Sequence, residues 1–179
     1  PGVAAHWYNL GAAHYRLGLK GHAAAAWQRA RRLDPREPSI RRALRLTPPP
    51  DATSQRWTWS PPVTPEELLL LGAVLWLAGW VGWVARPRLR DRWTILLLFA
   101  AAATAGGFGL RSWYGRPLGI VLDQSTLRIS PHGRAPALGP LESGGAVRIL
   151  RTAPGWVMVR AAGSRVGWVA SDAIAAVGG

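Results

Sequence analysis

The sequence predicts a multi-domain membrane protein: an α-helical hairpin, a two-helix transmembrane hairpin and a small all-β barrel, in that order. Three observations carry this. Residues 68–85 and 93–110 are uncharged apolar runs separated by Arg86-Pro87-Arg88-Leu89-Arg90-Asp91-Arg92. Residues 4–35 carry helix-forming residues with a glycine-bracketed turn between them. Residues 117–177 break into short β-rich runs punctuated by glycine.

The apolar runs come first in the argument. A hydrocarbon core of roughly 30 Å takes about 20 mostly apolar residues of helix, a length each run reaches with its flanks. Neither run keeps the polar face that a soluble helix normally shows. The hairpin is expected over residues 64–111. Thr64-Pro65-Glu66-Glu67 supplies a capping threonine, a proline at the first helical position and a glutamate at the third. Trp76, Trp80 and Trp83 form one stripe on the first span, facing lipid, the second span or a partner. On the second span Ala101, Ala105 and Gly109 fall four apart, as do Ala102 with Gly106 and Ala103 with Gly107. Ala78 and Gly82 offer a matching notch on the first, so close packing of the two backbones is expected there. No carboxylate, lysine or histidine lies inside either run, so the pair reads as an anchor, not an ion path.

The turn sets the orientation. Arg86, Arg88, Arg90 and Arg92 within residues 86–92 are a cytoplasmic topology signal by the positive-inside bias. Both ends of the chain are therefore expected outside the cytoplasm, with the hairpin anchored in the bilayer.

The net charge of +13 is almost all arginine, with Lys20 the single lysine, and is dispersed along the chain. No zinc-finger, RNP or basic-zipper pattern accompanies it, so nucleic acid is not an expected partner. Cysteine is absent, which removes disulfide and thiolate chemistry. No zinc-protease, P-loop, nucleophile-elbow or dinucleotide motif occurs, and His6, His14, His22 and His132 lack metal-ligand spacing. Asp123, His132 and Ser143 have the residue types of a triad without a supporting motif. The expectation is no catalytic residue, no metal site and no cofactor.

In the N-terminal flank, Trp7, Leu10, Gly11, Ala23, Trp27, Ala30 and Pro35 stand at the spacings of one tetratricopeptide repeat (TPR), which the segment resembles; His14 replaces the usual tyrosine. Gly11 and Ala23 are small where two helices should cross, with Trp7, Leu10 and Trp27 filling the space around them. Gly18 and Gly21 bracket the turn. A short helix from Pro38 to about Leu46 is expected to cap the repeat, giving residues 1–46 as one domain, the last of several repeats. In the resemblance the first helix lines a peptide groove. Tyr8, Asn9, Ala12, Tyr15 and Arg16 would form that partner-binding face, suited to an acidic segment, unless upstream repeats cover it.

Residues 47–63 are a proline-rich linker, in which Trp57 and Trp59 are expected to approach the first span. Beyond the spans, Gly139-x-Leu141, Gly145-x-Val147, Gly155-Trp156-Val157-x-Val159 and Gly167-Trp168-Val169, with Ile174 closing, resemble a bacterial SH3 domain (SH3b) over residues 117–177. Alternation sets Val147 and Ile149 on one side and Val157 and Val159 on another, with a hairpin turn at Gly163-Ser164. Trp156 and Trp168 each read either as barrel core or as a ligand platform.

This order of TPR, membrane hairpin and SH3b resembles the BatE-type proteins of bacterial aerotolerance (Bat) operons. The resemblance implies a non-catalytic membrane scaffold for protein–protein interaction in envelope stress or aerotolerance. Its implied partners are von Willebrand A-domain membrane proteins and MoxR-type ATPases. The alternative is a cell-wall anchor whose SH3b domain binds peptidoglycan.

Overall fold

The computed structural model describes residues 3–47, 57–58 and 61–177. Among them are five α-helices and one seven-stranded antiparallel sheet. The chain divides into two compact units, Pro1–Ser60 with Arg116–Gly179, and Pro61–Gly115. The two flanks, which read as separate segments in the sequence, thus share one unit.

That first unit begins with α1 (Ala4–Arg16), α2 (Lys20–Leu33) and α3 (Pro38–Leu44). Gly18 takes φ +78° in the turn between α1 and α2, a conformation that costs other residues dearly. Gly11 lies directly against the buried Trp27 indole, whose Nε1 donates to the Tyr8 carbonyl at 3.1 Å. The crossing expected at Gly11 is therefore present. Leu10, expected to fill space beside it, is instead 43% exposed. At the start of α3 the Glu37 carboxylate accepts from the Ser39 amide at 3.1 Å and the Ser39 hydroxyl at 2.8 Å. Those bonds, then Arg42 and Arg41, hold its carboxyl below the usual range. Ala43 of α3 closes a cluster with Ala23 and Trp27.

The alanine run at residues 23–26 is more than a helix former. Ala23 faces Trp27 and Ala43, while Ala24 and Ala25 pack against Leu118, Ile120, Ala146 and Val177 of the β-segment. A helix covered on both sides has room only for methyl groups. Gly21 lies in α2, not in the turn; a Cβ added there would run into the Leu122 carbonyl and the Ser143 hydroxyl. Trp57 joins the same cluster, so it packs on the β-segment rather than on the first span. Trp59 lies outside the described residues.

The strands are β1 (Leu118–Val121), β2 (Ser125–Arg128), β3 (Ala137–Leu141), β4 (Ala146–Ala153), β5 (Trp156–Arg160), β6 (Val166–Ala170) and β7 (Ile174–Ala176). Their order is β3-β2-β6-β5-β4-β1-β7, which leaves β3 and β7 as edges instead of closing a hydrogen-bonded ring. One core draws Val121, Leu127, Leu141, Val147, Val157, Val159 and Val169 from six strands. Val147 and Ile149 therefore face the same side as Val157 and Val159, contrary to the two-sided expectation. The reason is register: β4 and β5 are antiparallel neighbours with Ile149 opposite Val159, and opposed residues share a face. Gly163 and Ser164 turn the chain between β5 and β6 with φ of 66° and 62°.

The second unit is α4 (Pro65–Ala85) and α5 (Arg90–Tyr114). Thr64 and Glu67 form the expected reciprocal cap: the Glu67 amide donates to Thr64 Oγ1 at 3.2 Å and the Thr64 amide to Glu67 Oε2 at 3.0 Å. Both helices are long and apolar enough to cross a membrane, and only 17% and 11% of their most apolar windows are covered within the protein. A core helix would be mostly covered; these are not.

The seam between them keeps Gly82 and Gly107 of the expected set and replaces the rest. Gly72, Gly79 and Gly82 of α4 lie against Thr104, Leu97 and Trp93 of α5, and Gly107 of α5 lies against Leu69. On α5 the seam residues Trp93, Leu97, Ala100, Thr104 and Gly107 alternate in steps of four and three, the spacing of a left-handed knobs-into-holes pair. Each glycine receives a larger side chain. Gly106 has only Leu68 within reach, at 3.9 Å, and Ala102 is exposed. Ala101 and Ala105 border an open apolar groove of about 870 Å³ with Trp76 and Phe108. The tryptophan stripe also faces outward: Trp76 to Trp80 and Trp80 to Trp83 are edge-on ring pairs at 6.0 and 5.7 Å. Helix α5 begins earlier than the apolar run, so Arg90 and Arg92 sit in its first turn while Arg86 and Arg88 remain in the connection. All four are exposed, with the Arg90 guanidinium 4.6 Å from the Trp83 ring centre.

Candidate binding surfaces

The five residues expected to line a groove on α1 differ in exposure across the arc they share. Tyr8, Ala12 and Tyr15 are half-buried, and both tyrosines pack against the Ala23–Trp27–Ala43 cluster, Tyr15 with its ring 5.6 Å from Trp27. Asn9 and Arg16 are exposed. Consecutive helical residues are rotated by about 100°, which places Asn9 and Arg16 one step round from the tyrosines. The structure therefore separates the aromatic part of the expected site from its polar part. Trp7 lies beneath the Arg29 guanidinium at 4.7 Å, and Arg29 Nη2 donates to the Ala176 carbonyl at 2.5 Å, tying α2 to β7.

The β-segment places Trp156 and Trp168 together. Side chains alternate along β5 and β6, and Val157, Val159 and Val169 occupy the core side. Trp156, Met158 and Trp168 take the opposite side, with Met158 registered against Trp168 and Trp156 against Ala170. All three are half-buried. Arg151 lies opposite Met158, and Arg128 opposite Trp168. The result is an aromatic and thioether strip bordered by guanidinium groups. Period-two alternation already contains this placement, since each tryptophan directly precedes a buried valine.

If Trp168 belongs to a surface strip, Trp168→Ala should cost less stability than Val159→Ala. The latter removes a fully buried side chain and is expected to cost about 2 kcal/mol. Hydrogen exchange of β5 and β6 in the two variants measures the difference, and a larger loss for Trp168→Ala would return it to the core.

Arg148 stands opposite Arg160 across β4 and β5, with its guanidinium 6.0 Å from the Trp57 ring centre. Burial, followed by Arg116 and Arg160, holds Arg148 below the ordinary arginine value. Ser143 donates its hydroxyl to the Leu122 carbonyl at 2.8 Å, while Asp123 and His132 are exposed. His14 and His22, far apart in sequence spacing for a metal motif, come together with ring centres 5.3 Å apart, and the Nδ1 atoms of both are buried without a hydrogen-bond partner. Two imidazoles fall short of a metal ligand set. Among the described residues no group of three or more histidine, cysteine, aspartate or glutamate side chains is placed to hold a metal ion.

Comparison of the chain with protein-family models, with curated proteins and with solved structures returned no match.

Proposed function

We propose that the chain is a non-catalytic membrane-anchored scaffold that presents its helix pair and its sheet to partners on one side of a bilayer. In this reading α1 and α2 are a tetratricopeptide hairpin and the sheet is an SH3b module. The carrying observation is the inserted apolar hairpin. The flanks before and after it pack into one unit through α2 against β1, while α4 and α5 keep most of their apolar surface uncovered. Two antiparallel spans return the chain to the side from which it entered, which suits flanks that fold together. The arginine-rich connection supports placing that side outside the cytoplasm, in our reading at a bacterial inner membrane. The assembly we favour is a Bat/MoxR-type envelope stress or aerotolerance complex with von Willebrand A-domain membrane proteins, on the motif order of the sequence.

A second reading, attachment to peptidoglycan through the SH3b module, draws on the outward strip of Trp156, Met158 and Trp168. Aromatic faces of this kind suit sugar rings and peptide side chains.

The chain has no cysteine, so single cysteines at Asn9, Arg88 and Asp123 make a clean topology test. On intact spheroplasts a membrane-impermeant thiol reagent should label positions 9 and 123 and spare 88. The inverse pattern would move the binding unit to the cytoplasm. Labelling of only one of positions 9 and 123 would remove the two-span hairpin altogether.

A further inference from the structure

On the outward face of the sheet, four strands contribute one continuous row. Opposed residues on antiparallel strands share a face. Arg128 of β2 stands opposite Trp168 of β6, Trp168 opposite Met158 of β5, and Met158 opposite Arg151 of β4. The row therefore reads Arg-Trp-Met-Arg across the sheet. The row beside it is Ala153, Trp156 and Ala170, so Trp156 has a methyl group on either side. Both arginines occupy register shifts. The shift between Ile149 and Arg151 sets an arginine opposite Met158 in the place Leu150 would otherwise take, and a second lies between Leu127 and Arg128. Bulges of this kind re-aim side chains. Arg151 is exposed; Arg128 is half-buried and donates from Nη1 to the Ala135 carbonyl at 2.7 Å. A guanidinium carries five N–H donors, so that bond steadies the group and leaves others for a ligand.

We infer that this row docks an extended segment of a partner protein with the pattern acidic, any, apolar, any, acidic. Neighbouring strands lie about 4.8 Å apart, so three steps set the two arginine backbones about 14 Å apart along the sheet. An extended peptide rises about 3.3 Å per residue and turns alternate side chains to one side. Its first, third and fifth residues therefore face the sheet over a span of about 13 Å. The first and fifth meet Arg128 and Arg151 through charge-assisted hydrogen bonds, and the third meets Trp168 and Met158. Nucleic acid suits the row less well, because a phosphate at every unit would lay charge over its apolar middle. The inference deepens the scaffold reading and rests on it for the source of the segment, a partner protein.

The test is calorimetric titration of the full chain in nanodiscs of neutral lipid. The probe is acetyl-Ser-Glu-Thr-Leu-Thr-Glu-Ser amide. Its control, acetyl-Ser-Glu-Glu-Leu-Thr-Thr-Ser amide, has the same composition and charge with the glutamates adjacent. The probe should bind saturably and the control about fivefold more weakly or worse. Arg151→Gln should weaken the probe by about tenfold, as expected for a lost bond to a charged group. Arg151 is exposed, so the fold should survive. In Arg151→Glu, the probe with one glutamate exchanged for lysine should bind better than the parent probe, reversing the order seen with the unaltered chain. Arg42→Gln removes the same charge from α3, outside the sheet, and should change binding by less than about twofold. The docking row is overturned by absence of saturable binding, by equal affinity for probe and control, or by an equal loss from Arg42→Gln. Tighter binding of oligothymidylate or of a soluble muropeptide overturns it too, the latter in favour of the cell-wall reading. The topology labelling can fail while this titration succeeds, and conversely, so the two readings fall separately.

Discussion

Gly21→Leu is expected to lift α2 off the β-segment and to cost the first unit about 3 kcal/mol, the upper end of ordinary overpacking. The contact is unusual because the obstacle is backbone: a Cβ at this position would overlap the Leu122 carbonyl and come within 2.6 Å of the Ser143 hydroxyl. A flexible side chain could swing aside; a carbonyl held in the β-segment cannot. Two effects oppose each other in the milder Gly21→Ala. Alanine is favoured over glycine inside a helix by about 1 kcal/mol. Against this stand the clash and the partial loss of the Ala24, Ala25, Leu118, Ile120 cluster, which we expect to prevail. Hydrogen exchange of α2 and β1 reads the outcome directly, with Gly133→Ala as a control at a position that has nothing within 4 Å. A gain of stability from Gly21→Ala would show that α2 does not bear on Leu122.

The second large effect is expected in the apolar hairpin. Gly82→Leu places a side chain where the Trp93 indole lies, and Gly79→Leu does the same to the Leu97 side chain, 2.6 Å from the would-be Cβ. Close backbone approach is a principal source of helix association in lipid, so either change should separate the spans. Cysteines introduced at Leu68 and Gly106, neighbours across the far end of the pair, would report it as crosslinking that falls to background. Ala102→Leu and Gly109→Leu should leave crosslinking unchanged, because Ala102 is exposed and Gly109 has nothing within 4 Å. The reverse ranking would restore the small-residue face of α5 as the seam.

That ranking also shows where sequence reasoning stops. Small residues at four-residue spacing are numerous on the second span, and counting them pointed to Ala101, Ala105, Gly109, Ala102, Gly106, Ala103 and Gly107, with Ala78 and Gly82 opposite; of these glycines Gly107 and Gly82 lie in the seam. The partner glycines sit on the first span, where Gly72 and Gly79 are seven apart and Gly82 three further on. Four-residue spacing from Ala78 finds Gly82, whereas it misses Gly79, three residues before Gly82, and Gly72, seven before that. Similarly, Tyr8, Asn9, Ala12, Tyr15 and Arg16 cover an arc of about 120° on α1, of which one edge is half-buried and the other exposed. Spacing alone could not say which part turns inward, because that depends on where the Trp27 indole lies.

Chain-local chemistry determined the elements. Uncharged length made the two long helices, Thr64 and Glu67 set the start of the first, and glycine with left-handed φ placed the turns at Gly18 and Gly163. Alternation of valine with larger residues determined β5 and β6, and with them the side on which Trp156 and Trp168 stand. All of these depend on residues a few positions apart, whose effects are readable in order. What tertiary structure alone decided is which elements share a core. Nothing local tells Ala24 and Ala25 that they will meet Leu118 and Ile120 from beyond the apolar hairpin, or sets Arg128, Trp168, Met158 and Arg151 in one row. Burial is non-directional and rewards any apolar partner. The pairing is selected by shape, here by a glycine and two alanines small enough for a helix to lie directly on a strand.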